Sequence, residues 1–184
     1  MLTVIMECRN QEPELAHTLS ALVTGAVKGL ISDVIILDHA SHDGSARVAE
    51  AAGCRFHQRW EIGDVIQSIR GEWVLLIEPG SRPQGGWIED ILEYIALNER
   101  PAQFSPSRYY KKPFLKRLLR RGPPLEFGLL LRKQDALVLA KSGLPPPPPP
   151  TIFAVSRTRF PAWAPLATAA APALQTSCTL PSLV

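Results

Sequence analysis

Residues 34–46 read V-I-I-L-D-H-A-S-H-D-G-S-A, and this stretch decides the fold. An apolar run, Val34 to Leu37, ends in the acid Asp38. A turn of small and polar residues follows, and a helix start is signalled at Asp43-Gly44-Ser45. Short β-branched runs bounded by turn residues read as buried strands. Asp43 or Ser41 is suited to cap the next helix, because a short side-chain oxygen can accept from its free N–H groups. In an open parallel sheet, ligands bind just beyond the carboxyl ends of the strands. Asp38 and His39 stand at such an end.

Working outward, the same rhythm repeats. Residues 2–6 are a first apolar strand, broken by Glu7-Cys8-Arg9-Asn10-Gln11. Pro13 suits the first turn of a helix, and Leu15, Leu19, Leu22, Val23 and Val27 recur at helical spacing up to Gly29. The second strand spans 33–38 and the second helix 43–52. A short third strand follows at 54–57, then a short helix within 59–70 carrying Ile62, Val65, Ile66 and Ile69. Residues 73–77 form the most apolar strand, and Glu78-Pro79-Gly80-Ser81-Arg82-Pro83 is a sharp loop at its end. Residues 86–98 read as an amphipathic helix with Trp87, Ile91, Leu92 and Ile95 inward. Strand and helix alternating four times argue for a parallel α/β sheet with right-handed crossovers.

Beyond residue 98 the alternation loosens. Strands are expected at 103–107 and 125–132, and helices at 113–121 and 133–141. Six prolines follow at 145–150, and residues 143–184 hold ten of the eighteen prolines and two charged residues, Arg157 and Arg159. Polyproline joins neither a helix nor a central strand. The segment is therefore expected to be a mostly disordered Pro/Ala-rich tail behind one α/β domain at 1–142. The abrupt change of composition also fits a tail foreign to the fold, from a shifted frame or a fusion.

The bulk numbers exclude several classes. A formal charge of +3 is too small for a nucleic-acid binder. Three cysteines, far apart, form neither a disulfide framework nor a zinc motif, and fit a reducing compartment. No signal peptide is expected, since strand-like residues begin at Leu2 without a basic stretch before them, and no apolar run nears the roughly 20 residues that cross a bilayer. A cytoplasmic protein is expected, with the inner face of the membrane as an alternative station.

Four stretches carry a resemblance. "VIILDHASHDGS" resembles the V-x-V-D-D-G-S-x-D-G-T signature of the family 2 nucleotide-sugar glycosyltransferases. "TVIMECRNQE" is similar to that family's opening T-V-I-I-P-x-x-N-E-E, with Asn10 and Glu12 matching. "GEWVLLIEPGSRPQGGWIEDIL" is similar to G-D-W-L-L-F-L-D-A-D-T-x-x-P-x-x-W, with Trp73, Arg82 and Trp87 in register. "PLEFGLLLRKQDAL" resembles a later G-D-Q-G-L-F-V-R-R segment and sets Glu126 where the family has an acid. The four occur in the family's order over about residues 2–140.

The resemblance implies a GT-A type, Rossmann-like, mostly parallel sheet flanked by helices. It implies inverting transfer of a hexose from a nucleotide diphosphate sugar to an acceptor hydroxyl. Asp38, with Asn10, His39 and Arg82, would contact the nucleotide sugar. Glu78 would hold a divalent cation, Mn²⁺ or Mg²⁺, and Glu126 would be the general base. The sequence departs from the pattern at the chemistry. Glu78-Pro79-Gly80 replaces the metal-holding D-x-D, His39 replaces a second acid, and Glu7 replaces a proline. One carboxylate plus substrate phosphates can still hold a hard cation. A non-catalytic member that binds a nucleotide or a partner protein is the alternative.

Each residue also has a plainer reading. Asp38 can simply cap a turn, Glu78 can be a solvated acid before a Pro-Gly turn, and Glu126 a surface residue. His39 and His42 lack ligand spacing, and Asp43 reads as a helix cap. The span from Arg108 to Arg121 carries Arg108, Lys111, Lys112, Lys116, Arg117, Arg120 and Arg121 without an acid. Phe114, Leu115, Leu118 and Leu119 share one helical face between those charges. This reads as a solvated surface helix, as an interfacial helix serving a lipid-linked or membrane-proximal acceptor, or as a clamp on a diphosphate. Nucleic acid is not expected, since no aromatic stacking platform accompanies the charge.

Overall fold

The apolar runs become the strands of one sheet. A computed structural model describes residues 1–106, 125, 128–142 and 151–157. In chain order β1 (Leu2–Cys8), α1 (Glu12–Val27), β2 (Ile31–Asp38), α2 (Ser45–Ala51), β3 (Arg55–His57), α3 (Ile62–Ser68) and β4 (Trp73–Leu76) alternate. Then come β5 (Ser81–Pro83), α4 (Trp87–Leu97), β6 (Ala102–Pro106), β7 (Leu129–Arg132), α5 (Lys133–Ser142) and β8 (Thr151–Arg157). The strand order is β3-β2-β1-β4-β7-β6-β8-β5. β1 pairs parallel with β2 and β4, and β2 with β3. β7 runs antiparallel to β4 and β6, while β8 is parallel to β6 and antiparallel to β5. The expected parallel α/β half is present, continued by a mixed half.

Strand periodicity divides the core into two layers, since alternate side chains face opposite sides of a sheet. Val4, Met6, Ile36 and Leu75 pack with Leu15, Leu19 and Leu22 of α1 and with Trp87 and Ile91 of α4. Ile5, Ile35, Leu37 and Val74 pack with Val65, Ile66 and Ile69 and with Ala136 of α5. Buried on both faces, β1 and β2 needed continuous apolar runs, which is why they were legible. Gly25 shows how tightly the first layer closes. A Cβ there would lie 2.5 Å from Trp87 Cη2, so glycine lets α1 settle onto the α4 tryptophan.

Three expectations are corrected. β1 runs to Cys8 rather than ending at residue 6, because Glu7 alternates outward while Cys8 returns to the core at 1% exposed. The loop expected across 78–83 contains β5. The tail expected to be mostly disordered contains a strand: Thr151–Arg157 forms β8 between β6 and β5. Its T-I-F-A-V-S-R sequence is rich in β-formers, but the prolines around it dominate the composition. The expected helix at 113–121, the cations from Arg108 to Arg121, and Glu126 lie outside the described residues. Among the described residues no helix is long and apolar enough to cross a membrane.

Candidate functional site

The parallel strands β2, β1 and β4 are adjacent, so their carboxyl ends open on one edge, where a parallel sheet presents ligand sites. Cys8 lies in register with Asp38, and Ile5 with Leu76. Asp38 and Glu78 therefore stand at the ends of the two strands that flank β1.

Asp38 is 2% exposed. Its Oδ2 accepts from the Ser41 backbone N–H at 3.0 Å, and its backbone carbonyl accepts from Trp60 Nε1 at 3.2 Å. Its Oδ1 is buried and has no partner among the described residues. A buried acceptor without a donor costs about 1–3 kcal/mol, so this oxygen is one that a ligand donor would satisfy. His39 lies beside it, 3.2 Å from Glu7 Oε2 through Nε2 and edge-on to Trp60 with ring centroids 5.0 Å apart. Ala40, at φ +55°, turns the chain back sharply enough for the Ser41 N–H to reach Asp38.

The loop after β2 is bound to the loop after β1 by reciprocal hydrogen bonds. Asn10, at φ +51°, donates its backbone N–H to Ser41 Oγ at 2.9 Å, and its Oδ1 accepts from the His42 N–H at 2.8 Å. The Glu12 N–H donates to Asp43 Oδ2 at 3.0 Å, and Glu12 Oε2 accepts from the Gly44 N–H at 2.8 Å. Asp43 Oδ1 takes the Ser45 N–H at 3.1 Å. Asp43 thus serves the start of α2 as the sequence suggested, from one residue before the N-cap Gly44. Burial pushes the Asp43 pKa up, and the donors from Ser45 and Glu12 outweigh it, leaving the carboxyl below its usual value. A Cβ on Gly44 would fall 2.3 Å from Glu12 Oε1. The side chains matched to the family signature at Asn10, Glu12, Ser41 and Asp43 therefore bind each other's backbones. Below them Cys8 Sγ lies 3.5 Å from Ser45 Oγ, and burial raises the thiol pKa.

The loop after β4 is built differently. Ile77 continues the ladder by donating to Ile5 O at 3.1 Å. Gly80 is buried at φ +90°, and its N–H is shared between Glu14 O at 3.1 Å and Thr18 Oγ1 at 2.8 Å. Ser81 N–H closes the turn on Glu78 O at 3.1 Å. The loop is bolted to the first two turns of α1, the helix whose N-terminus holds the other two loops. Glu78 is half-buried. Arg82 follows on β5, with its Nε buried and without an acceptor among the described residues.

The divalent cation expected at Glu78 finds few ligands. Among the described residues no three of His, Cys, Asp and Glu converge as a metal site would require. Outside them the sequence holds only Glu126 and Cys178 of those types. Asp43 has both oxygens on backbone N–H groups, Glu12 and Asp38 have one each, and Gly80 has no side chain to offer. This donor set does not fit a protein-built cation site. Of the expected residues, Asp38, His39 and Asn10 are brought together, with Glu78 and Arg82 on the adjoining loop and strand. Trp60 and Glu7 were missed. Both act through partners at least twenty residues away, which periodicity does not register.

No protein-family model matches the sequence, and no curated protein matches it. Solved structures do match in fold. Glucosyl-3-phosphoglycerate synthase from Mycobacterium tuberculosis, in complex with Mn²⁺, UDP and glucosyl-3-phosphoglycerate, covers 88% of this chain and 73% of its own at TM-score 0.55 and 14% identity. The same enzyme with Mn²⁺ and UDP-glucose covers 88% and 72% at TM-score 0.56 and 15% identity. Mannosyl-3-phosphoglycerate synthase from Rubrobacter xylanophilus covers 88% and 68% at TM-score 0.59 and 14% identity. At such identities the likeness is one of fold, and it is the GT-A type α/β fold that the four sequence stretches implied.

Proposed function

We propose that this chain is a glycosyltransferase that takes its sugar from a nucleotide diphosphate donor bound at the β1–β2–β4 edge. The observation that carries this reading is Asp38, a buried strand-end carboxylate with one oxygen fixed and the other without a donor. A nucleobase N–H or a ribose hydroxyl would supply that donor. UDP is the first nucleotide to try, since fold neighbours were solved with it.

In this reading Glu126 takes the proton from an acceptor hydroxyl. The acceptor oxygen attacks the anomeric carbon opposite the diphosphate, the carbon–oxygen bond to the diphosphate breaks, and the nucleoside diphosphate leaves. Inversion follows from that single displacement. The acceptor is a hydroxyl compound handled at the basic span from Arg108 to Arg121. A lipid-linked acceptor would show as vesicle association of the full chain, lost at high salt. The reading is tested by incubating the full chain with UDP-glucose and related donors and following UDP release. Donor-specific release that rises with an added acceptor supports it; binding without release with every donor and acceptor contradicts it.

Gly80 favours a second reading, a nucleotide-binding protein without turnover. The turn it forms is shaped by a backbone packed on α1 rather than by a catalytic side chain.

A further inference from the structure

We propose that the nucleotide site binds its diphosphate without a divalent cation, with arginine, Arg82 foremost, meeting the phosphate charge. This rests on the nucleotide-donor reading above and concerns how that donor is held. Ligands for a cation are in short supply. Along the edge, Asp43, Glu12 and Asp38 spend carboxylate oxygens on the backbone N–H groups of Glu12, Ser45, Gly44 and Ser41. Pulling Asp43 to a cation would unmake charge-assisted bonds that hold the loops in place, and Asp38 and Glu12 have a single further oxygen each to offer.

The shape of the β4–β5 turn also disfavours a cation site. A second carboxylate two residues after Glu78 would have to stand at Gly80. That residue is buried, holds φ +90°, and gives its N–H to Glu14 and Thr18. A side chain there is opposed by backbone strain, in a conformation that the N–H bonds to α1 hold in place. The turn is a packing device, and its geometry resists a paired-acid site.

Positive charge follows that turn closely in the chain. Arg82 is two residues beyond Gly80, partly exposed, with its Nε buried and unmatched among the described residues. Guanidinium pairs with phosphate oxygens in a planar two-bond arrangement and stays charged at any working pH. A guanidinium and an absent second acid are two sides of one solution, because fewer carboxylates leave less negative charge for a cation to offset.

The test is calorimetric titration of UDP into the full chain, once in EDTA and once in millimolar Mn²⁺ or Mg²⁺. The expected result is binding in EDTA with Kd within about twofold of the metal value, since a lost cation contact would cost tenfold per 1.4 kcal/mol. Arg82→Gln is expected to weaken binding in EDTA at least tenfold while circular dichroism stays unchanged. Should Arg82→Gln fail to fold, Arg82→Lys replaces it, with a smaller loss expected because the paired bonds go while the charge stays. Tightening of tenfold or more by Mn²⁺, abolished in Glu78→Gln, overturns the proposal and leaves the nucleotide reading standing. No UDP binding in either buffer overturns both.

Discussion

The two loops that flank the end of β1 solve the same problem by opposite means. On the β2 side, residues 38–45 are fixed by charged and polar side chains that reach across to residues 10–12, and most of their side-chain oxygens have a donor. On the β4 side, residues 77–81 are fixed by backbone: a glycine at positive φ, a buried proline, and the Gly80 N–H turned into α1. If Asp38 receives a nucleotide as proposed, recognition and metal chemistry are separable on this fold: one side presents the unmatched Asp38 oxygen, and the other is a packed turn.

The largest effect is expected where the packed turn is forced toward the polar solution. Gly80→Asp combines left-handed strain of about 1–2 kcal/mol with a carboxylate in a buried site, together about 3 kcal/mol of lost stability. Urea unfolding measures it. A variant as stable as the parent that also gains Mn²⁺-dependent nucleotide binding would erase the contrast between the two loops.

Gly44→Ala probes the polar side and is expected to cost less, about 2 kcal/mol, within the range for one hydrogen bond to a charged group. The added Cβ displaces the flexible end of Glu12 from the Gly44 N–H rather than striking backbone. Combining it with Glu12→Ala sharpens the point: the double variant should lose little more than either single one, and additive losses would mean the two residues are not coupled.

The smallest effect is a pH dependence. The folded Asp43 pKa lies below its unfolded value, so its contribution is full above about pH 4 and is lost as pH falls through the folded pKa. The melting temperature of the parent should therefore fall more steeply than that of Asp43→Asn on going from about pH 5 to pH 2. Parallel profiles would show that Asp43 is not held by its donors.

What the sequence made legible follows from the range of the forces involved. β1, β2 and β4 were readable because strands buried on both faces must be apolar throughout. Asp38 was readable because it ends such a run. β5 was not: Ser-Arg-Pro is three residues long, and its ladder partner arrives some seventy positions later as β8. β8 itself carried a β-forming signal that the neighbouring prolines outweighed. The contact of Trp60 with Asp38 and the grip of Glu12 on Gly44 are long-range, and they arise only once β1, β2 and their loops are in place. Gly80 reads as a missing ligand in the sequence, and its role as a bolt on α1 appears only with Thr18 and Glu14 beside it.

The central claim is that the strand-end carboxylate receives a nucleotide, and one titration tests it most directly. UDP is titrated into the full chain and into Asp38→Ala, with urea unfolding run on both. The account expects affinity to fall at least tenfold, equivalent to about 1.4 kcal/mol. Stability should change little, because the lost carboxylate carried one satisfied and one unsatisfied oxygen. Equal affinity in the two proteins would contradict the account and return Asp38 to the role of a turn cap.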